Sequence, residues 1–228
     1  MTDLSVYLLY GFDLFGTVVF AMSGALVASK GRDNWFVAIV YAVLTALGGG
    51  TMRDILLGQQ PVFWMRSPLY LVLAITVGVA TFYTSKIVQL RKQHCWPADI
   101  ISLAIFTIVG TQVTLSGASH LSITSPMHWA TPPLMGLLTG TGGGIIRDLL
   151  GSRSPHFIKD PCQAFNSLLG GSLYVILTKT HLFPSVTIGV SIATIIGLEL
   201  HCQYKHHNTY KPEDVRYRHP VSLGQAKE

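Results

Sequence analysis

Apolar residues gather into seven stretches separated by short polar or proline-containing links, roughly Ser5–Ser29, Trp35–Leu57, Pro68–Lys86, Ala98–Ser116, Thr131–Leu150, Ala164–Thr178 and Pro184–Gln203. Most approach the roughly 20 residues that a helix needs to cross a bilayer, and none alternates with the period of a half-buried strand. The pattern predicts an all-α polytopic membrane protein with seven transmembrane helices. The expected division is one transmembrane domain over 1–203, followed by a polar cytoplasmic tail over 204–228.

Two stretches carry the same interruption. Gly48-Gly49-Gly50-Thr51-Met52-Arg53-Asp54-Ile55-Leu56 in the second returns as Gly142-Gly143-Gly144-Ile145-Ile146-Arg147-Asp148-Leu149-Leu150 in the fifth, an offset of 94 that also maps Pro61 onto Pro155 and Phe63 onto Phe157. A weaker match at an offset of 86 relates Asp13, Phe20 and Gly24 in the first stretch to Asp99, Phe106 and Gly110 in the fourth. The units are helices one to three (about 5–86) and four to six (about 98–178), with the seventh (about 184–203) outside them. An odd number of helices per unit sends the second through the membrane in the opposite direction, so the chain reads as a 3+3 inverted repeat plus one.

Each interior glycine weakens a helix by about 1 kcal/mol relative to alanine, so each triplet is expected to break its helix. Paired glycine-interrupted segments in two halves of a membrane protein point to a translocation site, with a transient monovalent cation near the triplets. Close helix approach is the plainer reading of the same glycines. Replacing Gly49 or Gly143 by leucine is expected to close a pathway there without disturbing the fold.

The Arg-Asp pairs follow the triplets within the apolar stretches, where an ionised group costs roughly 2.5–3.5 kcal/mol and needs a partner. Neighbours on a helix diverge by about 100°, so Arg53 is not expected to face Asp54, nor Arg147 to face Asp148. Cross-pairing Arg53 with Asp148 and Arg147 with Asp54 is disfavoured by depth, since each pair lies about 5–8 Å beyond its triplet on opposite sides of the midplane. These four charges are expected to line two vestibules and to meet water or neighbouring helices; a purely structural role is the alternative. Asp13 and Asp99 are either pathway carboxylates or helix-start residues bound to backbone amides, the latter favoured for Asp99 beside Pro97. Glu199 and His201 are expected to snorkel at the membrane surface.

Composition narrows the class. The 228 residues are 49% hydrophobic and 12% charged, about half the charged content of an average soluble chain. With the amino terminus outside, twelve of the sixteen lysines and arginines fall on the cytoplasmic side and only Arg66 and Lys179 outside, which sets the orientation with the carboxyl terminus cytoplasmic. The net charge of +5 is thus a matter of topology, and no nucleic-acid motif accompanies it. Met1-Thr2-Asp3-Leu4 lacks a basic leader, so no cleavable signal peptide is expected. Cys95, Cys162 and Cys202 fall near cytoplasmic ends, where thiols are expected to stay reduced; they match no metal-site spacing. His120 and His128 read as solvated loop residues. No nucleophile elbow, HExxH or phosphate loop occurs, so no enzyme activity, fixed metal site or cofactor is expected, with bound lipid the one candidate accessory.

The two triplets with their Arg-Asp pairs, together with Asp13-Leu14-Phe15-Gly16-Thr17 and Ser23-Gly24-Ala25, give the chain from about Leu4 to Gln203 a specific likeness. It resembles the prokaryotic branch of the trimeric intracellular cation (TRIC) channel family, also known as the UPF0126 or glycine-transporter-domain membrane family. The resemblance implies a homotrimer in a prokaryotic inner membrane, with a pore in each protomer between helices one, two, four and five, kinked at Gly48–Gly50 and Gly142–Gly144. It implies permeation of monovalent cations, chiefly potassium, with sodium, lipids and the chain itself as the other partners. The lysine-glutamate-valine element of the animal members is not evident, so their voltage and phosphoinositide regulation does not carry over. A secondary transporter of glycine or another small neutral solute is the second reading, and a non-conducting membrane scaffold the third.

Overall fold

The computed structural model describes residues 3–29, 34–88, 95–117, 127–152, 154–155, 158, 161–180 and 183–209. The cationic positions 30, 32, 91, 92, 153, 159, 211, 216, 218 and 227, His120, Phe157 and the tail from 210 onward lie outside these residues, as do the side chains of Lys86, Cys95 and His128. Eight helices are described: α1 Asp3–Ser29, α2 Trp35–Leu56, α3 Phe63–Arg66, α4 Leu69–Val88, α5 Cys95–Gly117, α6 Met127–Leu150, α7 Cys162–Thr178 and α8 Pro184–Thr209. Four segments, Val6–Ala28, Trp35–Leu56, Pro97–Gly117 and Pro184–Lys205, are long and apolar enough to cross a membrane, and Leu69–Ser85 is a shorter apolar helix. The single-turn α3 has no counterpart among the seven apolar stretches, and α8 runs on to Thr209, past the expected start of the tail at residue 204.

Local chemistry sets several of the ends. Asn34 caps α2, its side chain accepting from the Phe36 amide at 3.0 Å, which satisfies one of the orphan donors of a first turn. At the other end the Leu57 amide donates to the Arg53 carbonyl, and Gly58 takes φ +65° and donates to Ile55, the left-handed stop that glycine permits without steric cost. The end of α6 repeats this 94 residues later: Gly151 donates to Arg147, Ser152 donates to Leu149, and Ser152 takes φ 52°.

The bundle is built from two similar sets of contacts. Helix α1 packs on α2 and α4, and α2 on α4; α5 packs on α6 and α7, and α6 on α7; α2 and α6 meet between the sets, and α8 lies against α7 and α5. One apolar cluster contains Phe20, Ala21, Ala42, Leu47, Tyr70 and Phe82, with Phe106 reaching in from α5; a second contains Leu103, Ile108, Tyr174, Ile188 and Ile195. Several buried threonines satisfy their hydroxyls on the preceding helical turn, as Thr111 does on Thr107 and Thr114 on Gly110, so these add no unpaired donor to the apolar interior, whereas the buried Thr45 hydroxyl has no hydrogen-bond partner among the described residues.

The glycine triplets do not interrupt their helices. Both α2 and α6 stay helical through Gly48–Gly50 and Gly142–Gly144. A Cβ at Gly49 would collide with the Thr139 carbonyl oxygen, and one at Gly143 with the Thr45 carbonyl oxygen. Two antiparallel helices therefore cross with backbone against backbone at this point. The expectation that leucine fits either position is corrected, because the obstructing atoms are main chain and cannot rotate away. Overpacking a tight core typically costs about 1–3 kcal/mol. Gly49→Ala and Gly143→Ala are each expected to lower the thermal unfolding midpoint in detergent, whereas Gly144→Ala, which meets nothing within 4 Å, is expected to leave it unchanged.

Candidate functional site

The crossing of α2 and α6 separates two small cavities. One is lined by Asp13, Gly49, Gly50, Arg53, Phe63 and Thr139, among others, with a volume of about 10 Å³. The other, of about 30 Å³, is lined by Asp99, Gly140, Gly144, Arg147, Asp148 and Gln163, among others. Phe20 belongs to the wall of both, and its ring stacks on Phe106 with centroids 5.1 Å apart. A single water needs roughly 10–15 Å³ of such space, so each cavity has room for one or a few waters. An aromatic pair thus stands at the level of the helix crossing, with a charged chamber on either side.

Around Arg53 the polar groups form a local knot. Its Nε and Nη2 donate to Asp54 Oδ1 at 2.9 and 2.7 Å, and the guanidinium lies 5.7 Å from the centroid of Phe63. Asp54 Oδ2 accepts from the Phe63 amide at 2.8 Å, and Trp64 Nε1 donates to Thr51 at 3.2 Å. Asp54 therefore caps the start of α3 and holds that turn over Gly50. Asp13 accepts from the Tyr70 hydroxyl at 2.6 Å. Asp13 lies in mid-α1 and does not cap a helix start.

Around Arg147 the network spreads over three helices. Its Nε and Nη2 donate to Asp148 Oδ1 at 3.0 and 2.9 Å. Nη1 donates to Ser23 of α1 at 2.5 Å and pairs with Asp99 of α5. Ser23 itself donates to the same Asp99 oxygen at 3.1 Å. Asp99 is thus an ion-pair partner, not the helix-start cap that its place beside Pro97 favoured. Burying a charge is expensive unless it is paired and hydrogen-bonded, and both arginines meet that condition.

The expectation that sequence neighbours would not pair is overturned at both sites. Their Cβ directions do diverge, but a guanidinium on three methylenes is long enough to curl back onto the adjacent carboxylate where both are buried. Cross-pairing between Arg53 and Asp148, or between Arg147 and Asp54, does not occur among the described residues; the ion pairs are Arg53–Asp54, Arg147–Asp99 and Arg147–Asp148. Of the candidate glycines, Gly49, Gly50 and Gly144 line the cavities, while Gly48, Gly142 and Gly143 serve the helix packing.

Two further expectations are corrected at α7 and α8. Glu199 does not snorkel: it is fully buried and accepts from Asn166 Nδ2 at 2.8 Å, whereas His201 is exposed. Cys162 and Cys202 are joined in a disulfide across these helices, with Cα atoms 6.6 Å apart, so they are not the two free thiols that the cysteine placement suggested. Their separation of 40 residues gave no sign of contact until the two helices were folded side by side. Tyr70 and Gln163 were also missed, and Ser23 was noted only as part of the first-helix likeness, because only the packing brings these residues to the charges.

A helical bundle with membrane-length apolar segments and charged chambers on either side of a close helix crossing defines an integral membrane protein of the channel and transporter type. The model of the family described as glycine transporter matches residues 10–86 and 97–179. The inner membrane protein YadS of Escherichia coli (strain K12), a UPF0126 protein, is 34% identical over 197 residues, spanning 84% of this chain and 90% of the relative. A UPF0126 membrane protein of Vibrio cholerae is 38% identical over 175 residues, 75% of this chain and 68% of the relative. Among solved structures, the trimeric intracellular cation channel orthologue from Rhodobacter sphaeroides superposes with a TM-score of 0.77 at 30% identity, covering 87% of this chain and 98% of that one. A prokaryotic TRIC channel superposes with a TM-score of 0.76 at 25% identity over 89% and 99%. The chain belongs to the UPF0126 membrane-protein family, the prokaryotic branch of the TRIC family. It is a membrane protein.

The two charge clusters differ in redundancy, which gives a test. Arg147 has two carboxylates and Arg53 one. Leaving a buried charge without its partner typically costs about 3–5 kcal/mol. Asp54→Asn is therefore expected to destabilise the protein by roughly that amount, and Asp99→Asn by clearly less. Unfolding midpoints of the two purified variants in the same detergent measure the difference.

Proposed function

We propose that this protein is a monovalent-cation channel, potassium-preferring, with a pore in each protomer of a homotrimer. The observation that carries the reading is the pair of charged cavities on either side of the α2–α6 crossing, sharing Phe20, in a chain similar over most of its length to proteins described as TRIC cation channels. The pore runs from one cavity to the other, past the Phe20–Phe106 stack, and the arrangement described is a closed one. Asp13, Asp99, Arg53, Asp54, Arg147 and Asp148 are its vestibule charges, and a cation passes transiently near Gly48–Gly50 and Gly142–Gly144. No enzymatic step, cofactor or nucleic acid belongs to this reading; lipids are the expected surroundings.

The architecture proposed is a 3+3 inverted repeat plus one, with α1, α2 and α4 as the first unit, α5, α6 and α7 as the second, and α8 added. Antiparallel contacts between equivalent helices support it. Gly49 approaches Thr139 where Gly143 approaches Thr45, and Ser23 meets Asp99 where Phe20 meets Phe106. Helix α7, at 17 residues, is about 26 Å long, close to the hydrocarbon thickness. The lysine and arginine distribution supports an amino terminus outside and a carboxyl terminus in the cytoplasm, which puts the Arg53 cavity outside and the Arg147 cavity inside.

A secondary transporter of glycine or another small neutral solute is the second reading, favoured by the description of the matching family model. Planar-bilayer recording under a potassium gradient separates the two. Discrete unitary currents reversing near the potassium potential are expected, unaffected by millimolar glycine; a silent bilayer with saturable glycine uptake into liposomes would favour the transporter. Shrinking the aromatic stack with Phe20→Ala is expected to raise potassium flux several-fold, and unchanged flux in a correctly assembled variant would remove the stack from the pathway.

A further inference from the structure

We propose that Cys162 and Cys202 form a reversible thiol–disulfide clamp that sets the width of the mouth of the Arg147 cavity. The inference rests on the channel reading, since it assigns regulation to that pathway. Helices α7 and α8 meet antiparallel in a constant register, at Cys162 with Cys202, Asn166 with Glu199, and Gly170 with Ile195. Each step is about one helical turn on both helices, so the three contacts stack as rungs of one seam. The outermost rung is covalent, the next is a buried hydrogen bond of 2.8 Å, and the third is close apolar packing.

The residue after Cys162 is Gln163, which lines the cavity with Asp99, Arg147 and Asp148. The covalent rung therefore anchors the turn of α7 that forms part of the chamber wall. Deeper along α7, Ser167 is hydrogen-bonded to Thr107 of α5 at 2.7 Å, which ties that part of the helix to the bundle independently of the cysteines. Reduction releases only the first turn of α7, with Asn166 and Ser167 as its fixed base, so Gln163 can swing away from the charges. The disulfide form has the narrower mouth and the dithiol form the wider one.

Both cysteines are half-buried, Cys162 at the start of α7 and Cys202 about two turns before the end of α8, and their Cα separation of 6.6 Å suits a bridge. A Cα distance of roughly 4.4–6.8 Å lets two cysteines join without backbone movement. With a peroxide as oxidant, one thiolate attacks the O–O bond to give a sulfenic acid, releasing water after proton transfer. The second thiolate then displaces the sulfenic oxygen as a second water, forming the S–S bond. A dithiol reductant reverses the change by thiol–disulfide exchange, becoming oxidised itself. On the proposed orientation the pair faces the cytoplasm, so the clamp closes under peroxide stress and opens when reducing conditions return.

The test uses the full chain in liposomes, treated with dithiothreitol or with hydrogen peroxide. Peptide mapping without reductant reports the Cys162–Cys202 link, hydrogen exchange of residues 162–167 reports the mobility of the first turn, and potassium flux reports the pathway. The expected result is a link formed by peroxide, slower exchange in the linked state and a several-fold lower flux, with all three responses lost in Cys162→Ser and Cys202→Ser. Two thiols that stay separate under peroxide, or a link that leaves exchange unchanged, would overturn the clamp. A link that slows exchange while an active channel conducts equally in both states would overturn its control of the mouth. Absence of flux in every state would count against the channel reading, and the exchange measurement would still decide whether the clamp exists.

Discussion

The structure depends on the contact between Gly49 and Gly143, where the backbones of α2 and α6 touch. No side chain can stand at that contact, since even a methyl group would enter the opposing carbonyl. Bringing two helices this close fixes their crossing and presses the helices packed on them, α1 and α5, into contact through Phe20 and Phe106 at the same level. Small residues at a membrane helix interface allow such approach because lipid supplies no hydrophobic drive between helices, leaving close packing to hold them. The two cavities follow from this geometry, one on each side of the narrowest place.

The same sequence motif produces different electrostatic structures on the two sides. Arg53 closes on its neighbour Asp54, and that carboxylate fastens the short α3 turn over the chamber. Arg147 reaches further, to Ser23 and Asp99, and so joins α1, α5 and α6 at one point. Burial of both guanidiniums makes each pair matter and each unpaired member costly. One chamber is therefore covered by a short turn fastened by a carboxylate, while the other is framed by three helices joined at a single guanidinium. The second chamber is also bordered by α7 through Gln163, and the seam of α7 with α8 carries both a buried carboxylate and the disulfide.

Much of this was legible in the chain itself. Six apolar stretches coincide with α1, α2, α4, α5, α6 and α7 to within about four residues at each end, while α8 runs on past the seventh to Thr209, and the repeated triplets lie where α2 and α6 cross. The matched Asp13 and Asp99, and Phe20 and Phe106, line one or both of the two cavities. Helix continuity was misjudged because glycine propensity is a small local term, which tertiary packing overrides. The Arg-Asp pairing was misjudged because a helical wheel describes Cβ directions and not the reach of a long side chain. Glu199 was placed at the surface from its position near a helix end, yet Asn166 on the neighbouring helix lets it stay buried.

By itself, then, the sequence determined that the chain is a helical membrane protein of a duplicated pattern, because apolar length and repeated motifs are properties of local order along the chain. Only the tertiary structure decided which charges pair, that the glycines serve contact and do not break their helices, and that two cysteines 40 residues apart meet. Those outcomes depend on the register in which helices pack, and register is set by shape complementarity between surfaces that are distant in sequence.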